Sequence, residues 1–428
     1  MFAFHVVHAH STQIASASPV STTSNFAPAP PPVSSRRWEL DALRGLMLVL
    51  MTSTHLPTWF AIPAGQPFGF VSAAEGFVFL SAYMAGLVYT QRAVRDGIPA
   101  MRRAFLRRAL VIYACQAACL LFLFTVIAAL GMKFHQPAAN NLMSFYLHAP
   151  LTGLWTGLLM IYNPPLLDIL PVYIVFMLAS PWILSHVLQG GWKTVMAASI
   201  ALWGAAQFGL SRVLYDALVA ATGLPVPFRE TGSFETFAWQ LLWVLGLCLG
   251  AYHARVPSER RIVFPSWLVK AAVGIAILFF VWRHMTGLEP FPQNDPLNLW
   301  FDKWHVGPLR LLDFLALVVV LLHYGGWLTR HLPRLRLLET LGAASLPVFC
   351  AHLVIVLVAL AVVGESHPGR PPWFDPLMFA LSIAAMYAVA RLVRMFGSGP
   401  RSGQGRRAAP AARTGGSGTT LSVEAGQG

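Results

Sequence analysis

Residues 40–60 read LDALRGLMLVLMTSTHLPTWF, and this stretch decides the fold class. It is apolar over most of its length, and about 20 such residues cross the ~30 Å hydrocarbon core of a bilayer as a helix. Similar runs recur along the 428-residue chain, which is 56% hydrophobic and 11% charged. Soluble domains carry about 25% charged residues. The sequence therefore predicts an all-α polytopic membrane protein rather than a soluble enzyme.

The polar segments between these runs predict how the chain is oriented in the membrane. About ten transmembrane helices are predicted, and an even number places both termini on one side. Basic residues concentrate in every second polar segment, which is the positive-inside pattern of cytoplasmic loops. Both termini are therefore predicted to be cytoplasmic, and the net charge of +13 requires no nucleic-acid partner. The predicted spans are 40–60, 68–90, 105–131, 166–188, 193–211, 236–252, 265–285, 308–326, 343–363 and 374–395.

The two ends of the chain differ in composition from its membrane region. Residues 1–35 are rich in Ser, Ala and Pro, and residues 397–428 are rich in Gly, Ser and Arg. Both are predicted to be disordered cytoplasmic tails, with residues 36–396 forming one transmembrane domain between them. The four cysteines lie in apolar runs without the spacing of zinc ligands, so no metal site is predicted.

Three candidate site residues occur inside the first predicted span. An ionisable side chain is costly in hydrocarbon and usually faces a cavity or a partner. Arg44 and His55 are eleven residues apart, which returns to within ~20° of the same helix face about 16 Å further along the axis. Together with Asp41, they predict a polar stripe facing the protein interior. The alternative for Asp41 and Arg44 is a local ion pair at the helix end.

The second predicted span adds a carboxylate, Glu75. The segment between the first two spans is short, so they are expected to be antiparallel neighbours that place Glu75 and His55 at similar depth. A carboxylate beside an imidazole fixes its tautomer and favours its charged form. This pairing is typical of a general base acting on a hydroxyl, and it would equally suit a proton relay.

Further polar residues are predicted near the outer ends of later spans, and His352 is predicted near the middle of the ninth span. Taken singly, each is more typical of a structural hydrogen bond than of a catalytic group. Together they predict a polar cavity in the outer half of the helix bundle, the half that faces the periplasm in the predicted topology. These residues are Asp168, Asp302, Lys303, Arg310, Asp313 and His352.

A resemblance to a known family rests on these residues. The arrangement Arg44-x10-His55 resembles the signature of the type-three membrane acyltransferase superfamily. Within it, the chain is similar to the OpgC family, which modifies osmoregulated periplasmic glucans with succinyl groups. The similar stretches are LDALRG (40–45), SAAEGFVFLSAY (72–83), NPPLLDILPVYIV (163–175), WQLLWVLGLCLG (239–250), FDKWHVGPLRLLDFLAL (301–317) and SLPVFCAH (345–352).

The resemblance implies an enzyme of the bacterial inner membrane that transfers an acyl group from a cytosolic acyl-CoA to a hydroxyl of a periplasmic glucan. Acyl-CoA would be a co-substrate, and no permanently bound cofactor is expected. His55 and Glu75 are implied as catalytic residues, with Arg44 as part of the essential motif. Tyr83, from the second similar stretch, joins the candidates for substrate binding.

The predicted reaction is direct transfer, in which His55 deprotonates the glucan hydroxyl. Arg310 is predicted to bind the free carboxylate of a succinyl group, since arginine recognises carboxylates through two hydrogen bonds. The alternative for Arg310 is a pair with Asp313 that stabilises the helix end. A covalent acyl-histidine intermediate, another surface glycan or lipid as acceptor, and a proton-coupled transporter also stay open.

Overall fold

The computed structural model describes residues 38–256, 262–291 and 293–397. Within these ranges the secondary structure is helical, which confirms the all-α class. The two predicted tails, 1–35 and 397–428, lie outside the described residues except for Gly397, which ends the last helix.

The described α-helices follow one another with short connections. A π-helical stretch, Leu123–Ile127, joins two of them into one continuous helix. The helices are α1 (Trp38–His55), α2 (Ala61–Gly65), α3 (Ala73–Asp96), α4 (Ile98–Phe122), α5 (Ala128–Phe134), α6 (Pro137–Leu142), α7 (Ser144–His148), α8 (Pro150–Leu158), α9 (Ile169–Leu188), α10 (Trp192–Gln207), α11 (Leu210–Thr222), α12 (Thr236–Arg255), α13 (Ser266–Thr286), α14 (Asp295–Asn298), α15 (Pro308–His331), α16 (Arg336–Ala343), α17 (Ser345–Val362) and α18 (Phe374–Gly397).

Eight described helices are long and apolar enough to cross a membrane, so the chain is a multi-pass membrane protein. They are α3, the continuous helix Ile98–Phe134, α9, α12, α13, α15, α17 and α18. The pair α10 and α11 would make nine if it forms one span. The predicted number of ten is therefore not reached among the described residues. The predicted first span corresponds to α1, which is not in this set because its 18 residues include three charged ones. The cytoplasmic placement of both termini stays a prediction.

The span predicted at 193–211 falls on a broken helix. The helix breaks after Gln207, and α10 and α11 meet at an angle of 75°. Gly209 lies at the break with φ +80°, a left-handed conformation that glycine adopts without the steric penalty of a side chain. The chain turns there into α11, whose surface is exposed or half-buried.

The centre of the fold is the close contact between α3 and α12. A Cβ atom on Gly86 would collide with the backbone of Leu247, and one on Gly250 would collide with the backbone of Tyr83. Gly246 is equally close to α3. Small residues let membrane helices approach until their backbones touch, which increases van der Waals contact. This contact fixes α3, and therefore Glu75 at its start, relative to the rest of the bundle.

The charged first half of α1 is enclosed by α16. Gly45 of α1 lies against the backbone of Leu338, and Gly342 of α16 lies against the backbone of Asp41. Asp41 is buried as a result, and Arg44 is nearly so. The polar stripe of α1 thus faces protein rather than lipid, as the helical spacing predicts.

Candidate active site

Two histidines from distant parts of the chain meet inside the bundle. Nδ1 of His55, the last residue of α1, lies 3.1 Å from Nε2 of His352 on α17. The two ring planes differ by 25°. His352 is fully buried, whereas His55 is half-buried. The pair therefore consists of one fully buried imidazole ring and one that is partly exposed.

The other end of the α1 stripe also contacts α17. The Arg44 guanidinium donates a hydrogen bond to Ser345 Oγ, and Asp41 Oδ1 lies 4.0 Å from Arg44 Nη1. Arg44 and His55 are about 16 Å apart along α1, whereas Ser345 and His352 are about 10 Å apart along α17. The long arginine side chain spans the difference. Because the two contacts follow in the same order along α1 and α17, the two helices run in the same direction. Arg44 and His55 face one helix, as the sequence predicts, and the predicted Asp41–Arg44 contact coexists with the contact to Ser345.

Glu75 has a different partner from the one predicted. Its carboxylate accepts a hydrogen bond of 2.7 Å from Arg310 Nη1, and it caps its own helix by accepting from Ser72. Its side chain is fully buried. Among the described residues, His352 and not Glu75 is the hydrogen-bond partner of His55. The prediction that Glu75 directly orients His55 is therefore corrected, because a position near the end of a neighbouring helix does not fix which way a side chain points.

Arg310 is also engaged differently from the prediction. Besides Glu75, it donates from Nε to the carbonyl oxygen of Phe301 at 2.8 Å, and it is buried. Asp313 accepts from the backbone N–H of Phe70 at 2.8 Å instead of pairing with Arg310. An arginine already bound to a carboxylate and a carbonyl is poorly placed to bind a second carboxylate. The geometry thus favours a structural role for Arg310.

Lys303 is the cation of this region that has no direct ion pair or hydrogen bond among the described residues. Its ammonium group lies 4.6 Å from the ring centre of Trp304 and 6.0 Å from that of Phe234. Burial lowers the pKa of Lys303, and the nearby carboxylates of Glu75 and Asp168 oppose this effect. Lys303 is also close enough to His55 to interact with it electrostatically. A half-buried ammonium group therefore lies within electrostatic range of His55.

The acidic residues near Lys303 have partners of their own. Asp302 accepts hydrogen bonds of 2.7 Å from the ring and the backbone of His305, and this contact raises the pKa of His305. Asp168, at the start of α9, accepts from the backbone N–H of Ser233 at 3.0 Å. Burial raises the pKa of Asp168 to about 6. The predicted outer polar cluster thus brings Lys303, Asp168 and Asp302 together.

Tyr83 lies further along α3 than the rest of the outer cluster. It follows Glu75 by about 12 Å of helix, and its hydroxyl lies 2.9 Å from Nδ1 of His253 on α12. This contact joins α3 to α12 near their tight packing. A role of Tyr83 in substrate binding stays a prediction.

A narrow cavity of about 30 Å³ lies beside the inner part of the α1 stripe. Arg44, Arg108, Tyr173, Ser345 and Phe349 are among its lining residues. Its volume suffices for only a few water molecules. An acyl chain would therefore require the surrounding helices to move apart.

A comparison with protein families identifies the family of this chain. A family model described as OpgC protein matches residues 36–398, which is most of the chain. The chain belongs to the OpgC family. No curated protein and no solved structure matches it. Membership of the OpgC family indicates a glucan-modifying acyltransferase.

The geometry divides the polar residues of this OpgC-family chain by what they can do chemically. A half-buried imidazole such as His55 can exchange a proton with a bound hydroxyl, which is the task of a general base. The sealed Glu75–Arg310 pair cannot reach a substrate without breaking its own contacts. Sequence reasoning found these residues but missed the His55–His352 pairing. Nothing in SLPVFCAH signals that its histidine meets a residue 297 positions away.

Proposed function

We propose that this OpgC-family chain is an integral-membrane O-acyltransferase of the bacterial inner membrane. It moves an acyl group, succinyl in our proposal, from a cytosolic acyl-CoA to a hydroxyl of a periplasmic glucan. The observation that carries the proposal is the half-buried His55 held against His352 within a membrane-spanning bundle. Family membership supports the acyl transfer and the glucan acceptor.

In the proposed reaction His55 acts as general base. It takes the proton of the acceptor hydroxyl while the hydroxyl oxygen attacks the thioester carbonyl carbon. A carbon–oxygen bond forms, the carbon–sulfur bond of the thioester breaks, and the coenzyme A thiolate leaves. His55 then returns the proton to that thiolate. Proton transfer by a positioned side chain contributes roughly 10²–10⁴-fold to the rate of such reactions.

The donor would enter from the cytoplasmic side along α1. Two arginines, Arg44 and Arg108, line the narrow cavity on the inner part of the polar stripe. Arginine is well suited to phosphate groups such as those of coenzyme A. In this proposal the cavity widens to admit the pantetheine arm, so that the thioester reaches His55. Acyl-CoA is then a co-substrate that leaves after each turnover.

The acceptor would bind at the outer cluster. Asp302 and Lys303 offer hydrogen-bonding groups, and Trp304 offers an exposed aromatic ring. Such a mixture suits a sugar, which presents hydroxyl groups on its edges and apolar faces above and below. Lys303 would also supply the positive charge that a carboxylate-bearing acyl group needs in a half-buried site.

The proposal is tested with purified protein reconstituted into lipid vesicles. Succinyl-CoA labelled in the succinyl group is supplied on one side of the membrane and glucan on the other. We expect label to appear in the glucan in an ester bond that alkali cleaves, and to be absent from protein-free vesicles. Uptake of unmodified substrate without any ester would favour the transporter instead, and label in lipid or another glycan would change the acceptor.

A further inference from the structure

Two hydrogen bonds in series link His55 to the backbone of α17. Nδ1 of His352 lies 2.8 Å from the carbonyl oxygen of Phe349, and Nε2 of His352 lies 3.1 Å from Nδ1 of His55. The ring planes of the two histidines are only 25° apart, which suits a hydrogen bond in the plane of both rings. This series determines where the protons are.

The backbone carbonyl fixes the first proton. A carbonyl oxygen only accepts, so Nδ1 of His352 must carry the hydrogen. In a neutral imidazole the other nitrogen, Nε2, is then an acceptor. A doubly protonated His352 would be a fully buried charge, and no described carboxylate forms an ion pair with it, so that state is costly. Nε2 of His352 therefore accepts, and Nδ1 of His55 donates.

We infer that His352 is a positioning residue that holds His55 with its proton on Nδ1 and leaves Nε2 of His55 as the reacting base. The reaction itself rests on the proposed function. His352 is fully buried, so it acts through His55 and does not touch the substrate. It takes the orienting role that the sequence predicts for Glu75.

The same contact also favours the proton-transfer step. When Nε2 of His55 takes the hydroxyl proton, His55 becomes positively charged. The hydrogen bond from its Nδ1 to His352 is then charge-assisted, and such bonds are shorter and about twice as strong as neutral ones. His352 thereby stabilises the state that forms during the reaction more than the resting state.

The test compares two substitutions of one residue. In His352→Gln the side-chain carbonyl can still accept from Nδ1 of His55, whereas His352→Leu fills space without an acceptor. We expect His352→Leu to lower kcat about 10- to 100-fold, as loss of the partner that orients a metal-bound histidine does, with the KM for acyl-CoA nearly unchanged. We expect His352→Gln to recover most of the lost kcat. Equal kcat values for the two folded variants would overturn the inference.

A measurement on the wild-type protein covers the case in which the variants do not fold. ¹⁵N NMR of protein with labelled histidine distinguishes protonated from unprotonated ring nitrogens, and the His55→Ala spectrum identifies the His55 signals. A protonated Nδ1 and an unprotonated Nε2 on His55 support the inference, whereas the reverse overturns it. This result does not depend on activity. A failure of the inference is therefore distinguishable from a failure of the proposed function, which would show as an inactive wild-type protein.

Discussion

Two buried polar pairs of the bundle have opposite characters. Glu75 and Arg310 form an ion pair of 2.7 Å, and further contacts to Ser72 and Phe301 satisfy both side chains in full burial. His55 and His352 form a pair without a carboxylate, and one ring stays half-buried. A fully buried pair whose hydrogen bonds are satisfied holds helices in place, whereas a pair with one half-buried imidazole ring can exchange a proton. We therefore propose a structural role for the Glu75–Arg310 pair and a chemical role for the His55–His352 pair.

The largest expected effect is on the histidine pair. His55→Ala should lower acyl transfer roughly 10²–10⁴-fold, the usual contribution of a general base, while the protein stays inserted and folded. Turnover of purified variants measures the effect, and thermal unfolding checks the fold. His284→Ala, which changes an exposed histidine of α13, is the matched control and should keep wild-type turnover. Near-normal turnover in folded His55→Ala would remove the assignment.

Breaking the Glu75–Arg310 ion pair should lower the stability of the folded protein rather than change the reaction mechanism. Glu75→Ala leaves the Arg310 guanidinium buried without its counter-ion, and breaking a buried pair in this way costs about 3–5 kcal/mol. The double variant Glu75→Met/Arg310→Met should be more stable than Glu75→Ala, because it buries no unpaired charge. Thermal unfolding in detergent measures both. A Glu75→Ala protein as stable as the wild type but inactive would return Glu75 to the catalytic role that the sequence predicts.

Asp168 should make stability depend on pH. Because burial raises the pKa of Asp168 to about 6 in the folded protein, the protonated carboxyl favours folding. This contribution is fully present below pH 3.8 and is lost as the pH rises through about 6. The change corresponds to at most about 3 kcal/mol.

Asp168→Asn, which resembles the protonated acid, should abolish this part of the pH dependence. Unfolding temperatures between pH 4 and pH 7 measure it. If wild type and Asp168→Asn lose stability in parallel over that range, Asp168 is not the group responsible.

The smallest expected effect concerns donor choice. Lys303→Met should reduce the preference for succinyl-CoA over acetyl-CoA roughly tenfold, since a hydrogen bond to a charged group contributes about 1.5–3 kcal/mol. The preference is measured by competition between the two donors. Lys270→Met, which changes an exposed lysine of α13, is the matched control and should keep the wild-type ratio. An unchanged ratio in Lys303→Met would mean that another group binds the carboxylate.

The sequence predicts well which residues share a face of one helix and which residues lie close together in one short segment. The helical repeat fixes the common face of Arg44 and His55, and both do contact α17. The direction of the Glu75 side chain depends on how α3 is rotated against α12, and no spacing within a helix contains that rotation. Glu75 and Arg310 are 235 positions apart in the sequence, and His55 and His352 are 297 positions apart. Both pairings arise only from the packing of the bundle.

The predicted spans also show which features follow from the local sequence and which depend on the three-dimensional structure. Long apolar runs identify the membrane helices, so the fold class follows from the sequence. The charged α1 and the bend at Gly209 are different. The neighbouring α16 encloses the charges of α1, and the bend forms at Gly209 in a left-handed conformation. Hydropathy alone describes neither.

The most direct measurement of the central claim is the mass of the periplasmic glucans from a deletion strain. The strain carries either the wild-type protein or His55→Ala at equal membrane abundance. The account predicts glucans with added acyl mass, one succinyl group at a time, from the wild-type strain and unmodified glucans from the deletion and His55→Ala strains. Glucans of identical mass in all strains would contradict it.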